Sequence, residues 1–430
     1  MRMNVATESV KSPAQKSPAH KAGALSAGGA LRIAVITETW PPEVNGVAMS
    51  IARVVEGLLE RQHAVQLIRP RQRMAKGQKQ ALAEHAGLEE ILSPSLPIPG
   101  YSSLRMGLAF GLRLKRRWLQ EPPDVVHLAT EGPLGWWGLQ VARSLSLPVS
   151  SDFRTNFHAY SLHYGLAWLH KPIARYLCHF HNQTLLTMVP TDGLRQQLHE
   201  RGFRNVEVVA RGVDTVQFHP DRRSLALRDA WGVPDPSAPV VACVGRLAAE
   251  KNLGLLLDAY AAIRAVRADA KLLLVGDGPL RGELLARCPD AIFAGQRTGV
   301  DLAAHYASAD LFLFPSLTET FGNVTSEAMA SGLPVLAFDY AGAAQLIRHT
   351  QTGHLVPFGD ATGFVQAAAE LAAQPEACRA VGERARCAVQ AMGWDGIVSQ
   401  FEARLQGLRA DRSAASHQAD HWVSDAAMGR

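Results

Sequence analysis

With 430 residues, 47% of them apolar, the chain is too long for one ordinary core and has enough apolar side chains to fill two. Its formal charge of +5 is too small for a nucleic-acid-binding balance, yet it suits an anionic substrate or an anionic bilayer. Five cysteines without a C-x-x-C spacing argue against a disulfide scaffold, and no apolar run reaches the roughly eighteen residues that cross a membrane.

Met1 to about Ala30 is rich in Ala, Ser, Pro, Lys and Gly, without periodicity or an apolar h-region, and predicts a disordered tail (1–30) in place of a signal peptide. Leu31 to Thr37 reads as a first buried strand, Trp40 to Val47 as a loop, and the chain to about Gln62 as a helix. The Asn45-Gly46 step at that strand-to-helix turn predicts an anion seat. Ala64 to Pro70 is a second strand, while Met74 to Glu90 is polar and reads as helical or loose. On a helical wheel, 104–119 sets Leu104, Leu108, Phe110, Leu112, Leu114, Trp118 and Leu119 against Arg105, Arg113, Arg116 and Arg117. That pattern predicts a basic amphipathic helix, suited either to the core or to an anionic membrane surface. Apolar strands recur at Asp124–Leu128, Val149–Phe153, Leu185–Val189 and Val206–Ala210, with helices between them, as in a parallel doubly wound sheet. Arg154 and His158 follow the Val149–Phe153 strand end, where polar side chains can meet a ligand.

Pro234, Pro236 and Pro239 cluster after this half, and the boundary is drawn at 217/218. The pattern restarts at Val240–Val244, which runs directly into Gly245-Arg246 and Lys251, two cations placed to meet a diphosphate in the cleft. Leu272–Val275 leads into Gly276-Asp277-Gly278, which imitates a dinucleotide fingerprint but has the wrong spacing to Gly282 and no acidic end to the next strand. Leu311 to Pro315 is a buried strand, followed by a loop with Glu319 and Phe321-Gly322. Asn323 is expected to cap a helix running to Ala330, before another strand, Val335–Phe338. A helix start at the carboxyl end of a strand receives an anion, and Glu327, one turn on, is placed to hold ribose hydroxyls. Glu319 suits a second polyol. Helices fill 361–407, a return helix spans 391–408, and 409–430 reads as a second polar tail.

Glu319-x7-Glu327, with Phe321-Gly322 inside it and Met329-Ala-Ser-Gly-Leu-Pro-Val335 after it, resembles the retaining family-4 (group 1) glycosyltransferases of GT-B fold. The resemblance spans about Leu31 to Leu408. It implies two doubly wound, Rossmann-like α/β domains facing a cleft, with the acceptor mainly in 31–217 and a nucleoside diphosphate sugar mainly in 218–390. It further implies donor binding by Gly46, Gly245, Arg246, Lys251, Gly276, Gly278, Glu319, Phe321, Gly322, Asn323, Val324 and Glu327. Arg246, Lys251 and Glu319 take catalytic roles, with His158 or Arg154 at the reacting sugar or an acceptor phosphate. Relatives often place a histidine where Arg154 stands. No metal, cofactor or nucleic acid is implied. Bacterial GDP-mannose-dependent, glycolipid-forming members look most similar, which implies hexosyl transfer to a lipid or glycan acceptor by a cytoplasmic or inner-face peripheral protein. A UDP-sugar-dependent glycolipid synthase, a sugar-nucleotide epimerase and a glycan phosphorylase remain open as alternatives.

Overall fold

The structure is a computed structural model that describes residues 29–43, 45–72, 85–98, 101–108, 111–154 and 170–428. The first half contributes strands β1 (Arg32–Ile36), β2 (Ala64–Pro70), β3 (Leu88–Ser93), β4 (Ser95–Ile98), β5 (Tyr101–Gly107), β6 (Val125–Leu128), β7 (Val149–Asp152), β8 (Leu186–Val189) and β9 (Val206–Val208). Its helices are α1 (Gly46–Glu60), α2 (Gly111–Gln120), α3 (Pro133–Ser144), α4 (His170–His181) and α5 (Asp192–Glu200). The second half contributes β10 (Val240–Val244), β11 (Lys271–Val275), β12 (Ile292–Gly295), β13 (Leu311–Phe314), β14 (Val335–Phe338) and β15 (His354–Val356). Its helices are α6 (Leu225–Ala230), α7 (Leu253–Val266), α8 (Arg281–Arg287), α9 (Gly299–Ala307), α10 (Asn323–Ala330), α11 (Ala341–Leu346), α12 (Ala361–Ala372), α13 (Pro375–Val389) and α14 (Trp394–Met428).

Among the described residues two parallel sheets form, in orders β3-β2-β1-β6-β7-β8-β9 and β12-β11-β10-β13-β14-β15. Most inner strands are apolar without alternation because helices cover both faces, and each sheet has a core on either side. This is the doubly wound, two-domain α/β architecture that the sequence predicts.

Three elements differ from expectation. Leu88–Ser93 is a parallel edge strand beside β2, where the sequence reads as helical or loose; it is partly buried, and its Glu89 and Glu90 pair with Arg117 and Arg69. Tyr101–Gly107 pairs antiparallel with β4, so the amphipathic helix begins at Gly111 and excludes Leu104 and Arg105; residues 109–110 lie outside the described part. Helix α14 continues to Met428, beyond the predicted limit of order near 408, through an Ala-containing stretch that has no Gly or Pro from Leu408 onward until Gly429.

Helix α14 is the return element. Phe401 and Leu405 are buried in the N-domain core, burial that stabilises by roughly 1.5–3 kcal/mol per side chain. Glu402, also buried, meets His63 Nε2 at 3.1 Å and Arg61 Nε at 3.3 Å. The two chain crossings between domains run together: the Val213 amide donates to the Met392 carbonyl at 3.0 Å, and a Cβ on Gly212 would lie 2.7 Å from the Trp394 ring.

Candidate active site

The carboxyl ends of both sheets face each other, and the loops that leave them make the cleft. Gly245 and Gly276 adopt φ of +150° and +140°, and a Cβ on Gly276 would sit 1.9 Å from the Gly245 carbonyl oxygen. Likewise a Cβ on Gly278 would approach the Leu247 carbonyl to 2.4 Å. These glycines let the loops after β10 and β11 lie in contact. The Leu247 amide donates to the Asp277 carbonyl at 3.0 Å, and the Leu280 amide to the Leu247 carbonyl at 2.9 Å.

The β10 loop is also tied to the loop after β13. The Leu317 amide donates to the Glu250 carbonyl at 3.0 Å, so Lys251, at the end of the turn Ala249–Lys251, faces Glu319. Lys251 Nζ donates to Glu319 Oε1, which also accepts from Ser316 Oγ at 2.8 Å. The ammonium lies 5.5 Å from the centre of the Phe314 ring, a second contact for its charge. Tyr340 fixes the Glu319 backbone by donating to its carbonyl at 3.0 Å. Arg246 is exposed at the mouth of the same loop.

Helix α10 starts one residue earlier in its capping than expected: Gly322, at φ +88°, is the cap, and Asn323 is the first helical residue. The Asn323 side chain is thereby released from capping and donates across the cleft to Ser50 Oγ of α1 at 3.4 Å. Opposite it, a Cβ on Gly46 would lie 3.7 Å from Asn323 Nδ2, so the two predicted anion seats do meet. The seat at α1 is smaller than predicted, because Asn45 Oδ1 accepts from the Val47 amide at 3.1 Å and the Ala48 amide at 2.9 Å.

Glu327 is half-buried on α10 and accepts from the Tyr306 hydroxyl of α9 at 2.9 Å. Desolvation pushes its carboxyl up to about 7, while the tyrosine hydrogen bond opposes the rise. The same burial, with the Glu327 charge beside it, holds the Tyr306 hydroxyl well above its ordinary value. Phe321 is buried in the C-domain core, and its carbonyl accepts from the Gly342 amide at 2.9 Å; Val324 packs partly buried against that core. Both shape the loop from behind.

Arg154 departs from its expected role. Its side chain is buried and turned back onto Asp152, two residues upstream, which His127 Nε2 and Arg211 Nη1 also approach, at 3.4 and 3.9 Å. The Arg154 and Arg211 charges, with the His127 ring beside them, hold the Asp152 carboxyl far below the carboxylate range despite its burial, and desolvation brings Arg211 down to about 9. What Arg154 presents to the cleft is its carbonyl, which accepts from Thr320 Oγ1 at 2.9 Å. His158 lies outside the described residues. Tyr306, Ser316, Thr320, Tyr340 and Ser50 are positioning groups that sequence reading missed; each is distant in sequence from its partner or carries no motif.

Residues 44–217 match the family described as Glycosyltransferase Family 4, and residues 238–374 the one described as Glycosyl transferases group 1. A GDP-mannose-dependent alpha-mannosyltransferase of Mycobacterium tuberculosis is 37% identical over 330 residues, which cover 77% of this chain and 85% of that one. An alpha-monoglucosyldiacylglycerol synthase of Streptococcus pneumoniae is 26% identical, covering 71% of each. In fold the chain is similar to the sucrose-phosphate synthase of Thermosynechococcus elongatus, at a TM-score of 0.74 and 21% identity over 89% of this chain and 100% of that one. With two facing Rossmann-like sheets, Glu319 and Glu327 on one loop-helix unit, and family matches over both halves, this chain belongs to glycosyltransferase family 4 and has the GT-B fold.

Proposed function

We propose that the protein transfers a mannosyl residue from GDP-mannose to a hydroxyl of a lipid or glycan acceptor, with retention of configuration. The observation that carries this reading is the meeting of three loops: Gly46 against Asn323, Lys251 against Glu319, and Glu327 on the helix that Asn323 begins. The mannosyl donor is supported by the relative at 37% identity, and a lipid acceptor by the diacylglycerol named in the more distant one. In this reading Glu327 holds the ribose hydroxyls, and the start of α10 with Gly46 receives the diphosphate. Arg246 and Lys251 stabilise the charge that grows on the departing diphosphate, in place of a metal or other cofactor. Glu319, fixed by Ser316 and Tyr340, orients hydroxyls of the transferred sugar. Gly245, Gly276 and Gly278 frame the base-binding side. The bond from C1 to the phosphate oxygen breaks as the bond from C1 to the acceptor oxygen forms on the same face, and the acceptor proton passes to the diphosphate.

The reading extends to the bilayer. No helix among the described residues is long and apolar enough to cross a membrane. Helix α2 buries Leu114 and Trp118, while Leu112 and Leu119 stand 78% and 64% exposed beside Arg113 and Arg116. The predicted apolar half is thus divided between core and solvent. We place these two leucines and two arginines against anionic lipid. Arg117 is already paired with Glu89 at 2.9 Å and Glu121 at 2.8 Å and takes no part.

Proton NMR of GDP-mannose incubated with the protein in excess chelator tests the chemistry. Release of mannose first as the α anomer is the expected result. The β anomer, strict dependence on a divalent ion, an epimerised sugar nucleotide, or turnover only with inorganic phosphate and glycan would each overturn the reading.

A further inference from the structure

Three strands along the N-domain sheet from the Gly46 loop, the domains enclose a cavity of about 520 Å³, within the range of small-molecule sites. Its N-domain wall is the first two turns of α5, with Asp192 and Gln197; its C-domain wall is Asp339 and the short helix α11, with Gln345. The two walls touch where the Asp192 amide donates to Gln345 Oε1 at 3.4 Å. Glu319 and Thr320 complete the lining, so the cavity opens on the residue placed at the transferred sugar.

Among the described residues the lining contains three carboxylates, two amides and no lysine or arginine. Of the two helix starts that border it, that of α5 is closed to anions. Thr191 Oγ1 accepts from the Leu194 amide at 3.2 Å, and the Asp192 carboxylate, held by Arg195 at 2.8 Å and Gln196 at 2.8 Å, already occupies the positive end of the helix. Lys251 neutralises Glu319 and Arg195 neutralises Asp192, which leaves the exposed Asp339 as the uncompensated charge of the lining. A phosphate or carboxylate placed there would meet repulsion without a donor fork. Carboxylate and amide side chains are, by contrast, acceptors and donors for ring hydroxyls. Tyr340, its hydroxyl engaged by Glu319 and its ring 4.9 Å from that of Phe358, presents a fixed aromatic wall for the apolar edge of a sugar.

We infer that this cavity receives the acceptor head and selects an uncharged, hydroxyl-rich ring, with Asp339, Gln197 and Gln345 as specificity-determining residues. The inference rests on the glycosyltransferase reading above and adds the class of acceptor to it. Its test is saturation-transfer NMR on the full chain with two probes, methyl α-D-mannopyranoside and mannose 6-phosphate, beside a separate titration with GDP. The neutral glycoside is expected to bind wild type. Ala344→Trp, which fills the cavity from α11, is expected to weaken that binding by about tenfold or more through steric exclusion, with GDP affinity unchanged. Mannose 6-phosphate is expected to bind only when Asp339→Lys supplies a cation. Undiminished binding of the glycoside to Ala344→Trp, its failure to bind wild type, or equal binding of the phosphorylated sugar by wild type would overturn the inference. Failure of wild type to bind GDP would count against the proposed donor instead, because the two sugar probes are compared without nucleotide.

Discussion

Glu327 shows at the scale of one residue what a motif leaves unsaid. Its place in Glu319-x7-Glu327 marks it as a ligand group, but its protonation is set by burial and by Tyr306. The folded protein holds this proton up to about 7, whereas the unfolded chain releases it near the ordinary value of 4.5. Between those values the native state binds more protons, so this group makes stability fall as pH rises from about 4.5 to about 7. Glu327→Gln is expected to flatten that part of the profile in denaturant titrations; an unchanged slope would show that another group causes it. Ribose hydroxyls favour the carboxylate, so GDP binding near pH 6 is expected to release a proton and to tighten as pH rises towards 7. Calorimetry in two buffers of different ionisation enthalpy reads the proton directly, and buffer-independent heats would remove Glu327 from the ribose.

At the scale of elements, the sequence was most readable where strands are buried on both sides. Val240–Val244 and Val335–Phe338 are continuous apolar runs and form strands with the predicted bounds. Pattern reading failed at the margins of the N-domain sheet. Leu88–Ser93 is an edge strand whose glutamates pair with arginines of other elements, and 101–107 lies in a hairpin whose partner strand, not its own periodicity, decides its form. Helix α2 survives from the longer helix that was expected, with Leu112 and Leu119 outside. If those leucines and Arg113 with Arg116 meet lipid head groups, Leu112→Ser with Leu119→Ser should abolish co-sedimentation with vesicles containing anionic lipid. Changing both arginines to Ser should weaken it by roughly 2 kcal/mol, about thirtyfold, with the loss largest at low salt. Equal pelleting of all three proteins would assign the face to solvent. The return helix makes a separate prediction. Glu402→Ala removes the shared carboxylate from Arg61 and His63 and should cost roughly 1.5–3 kcal/mol of N-domain stability, read as a lowered denaturant midpoint. GDP affinity should be unaffected, and an unmoved midpoint would mean that Phe401 and Leu405 alone hold the helix.

For the whole molecule, the cleft is made by bringing together loops that lie far apart in the chain, which is why its motif residues were legible and their supports were not. Glu319, Glu327, Arg246 and Lys251 carry spacing that a reader can recognise. Tyr306, Ser50 and Thr320 acquire meaning only when α9 packs beside α10 and the two domains face each other. Arg154 shows the converse: a cation at a strand end looked poised for a ligand, and a buried aspartate two residues earlier claims it. In the proposed function a nucleoside diphosphate lies between these loops, with its diphosphate at Lys251 and Arg246 and its ribose at Glu327. Isothermal titration of GDP into wild type, Lys251→Ala and Glu327→Ala tests it most directly. Saturable binding by wild type, weakened about ten- to a hundredfold by each substitution while the thermal transition of each variant stays cooperative, is the result predicted. Wild-type affinity in both variants would contradict the account.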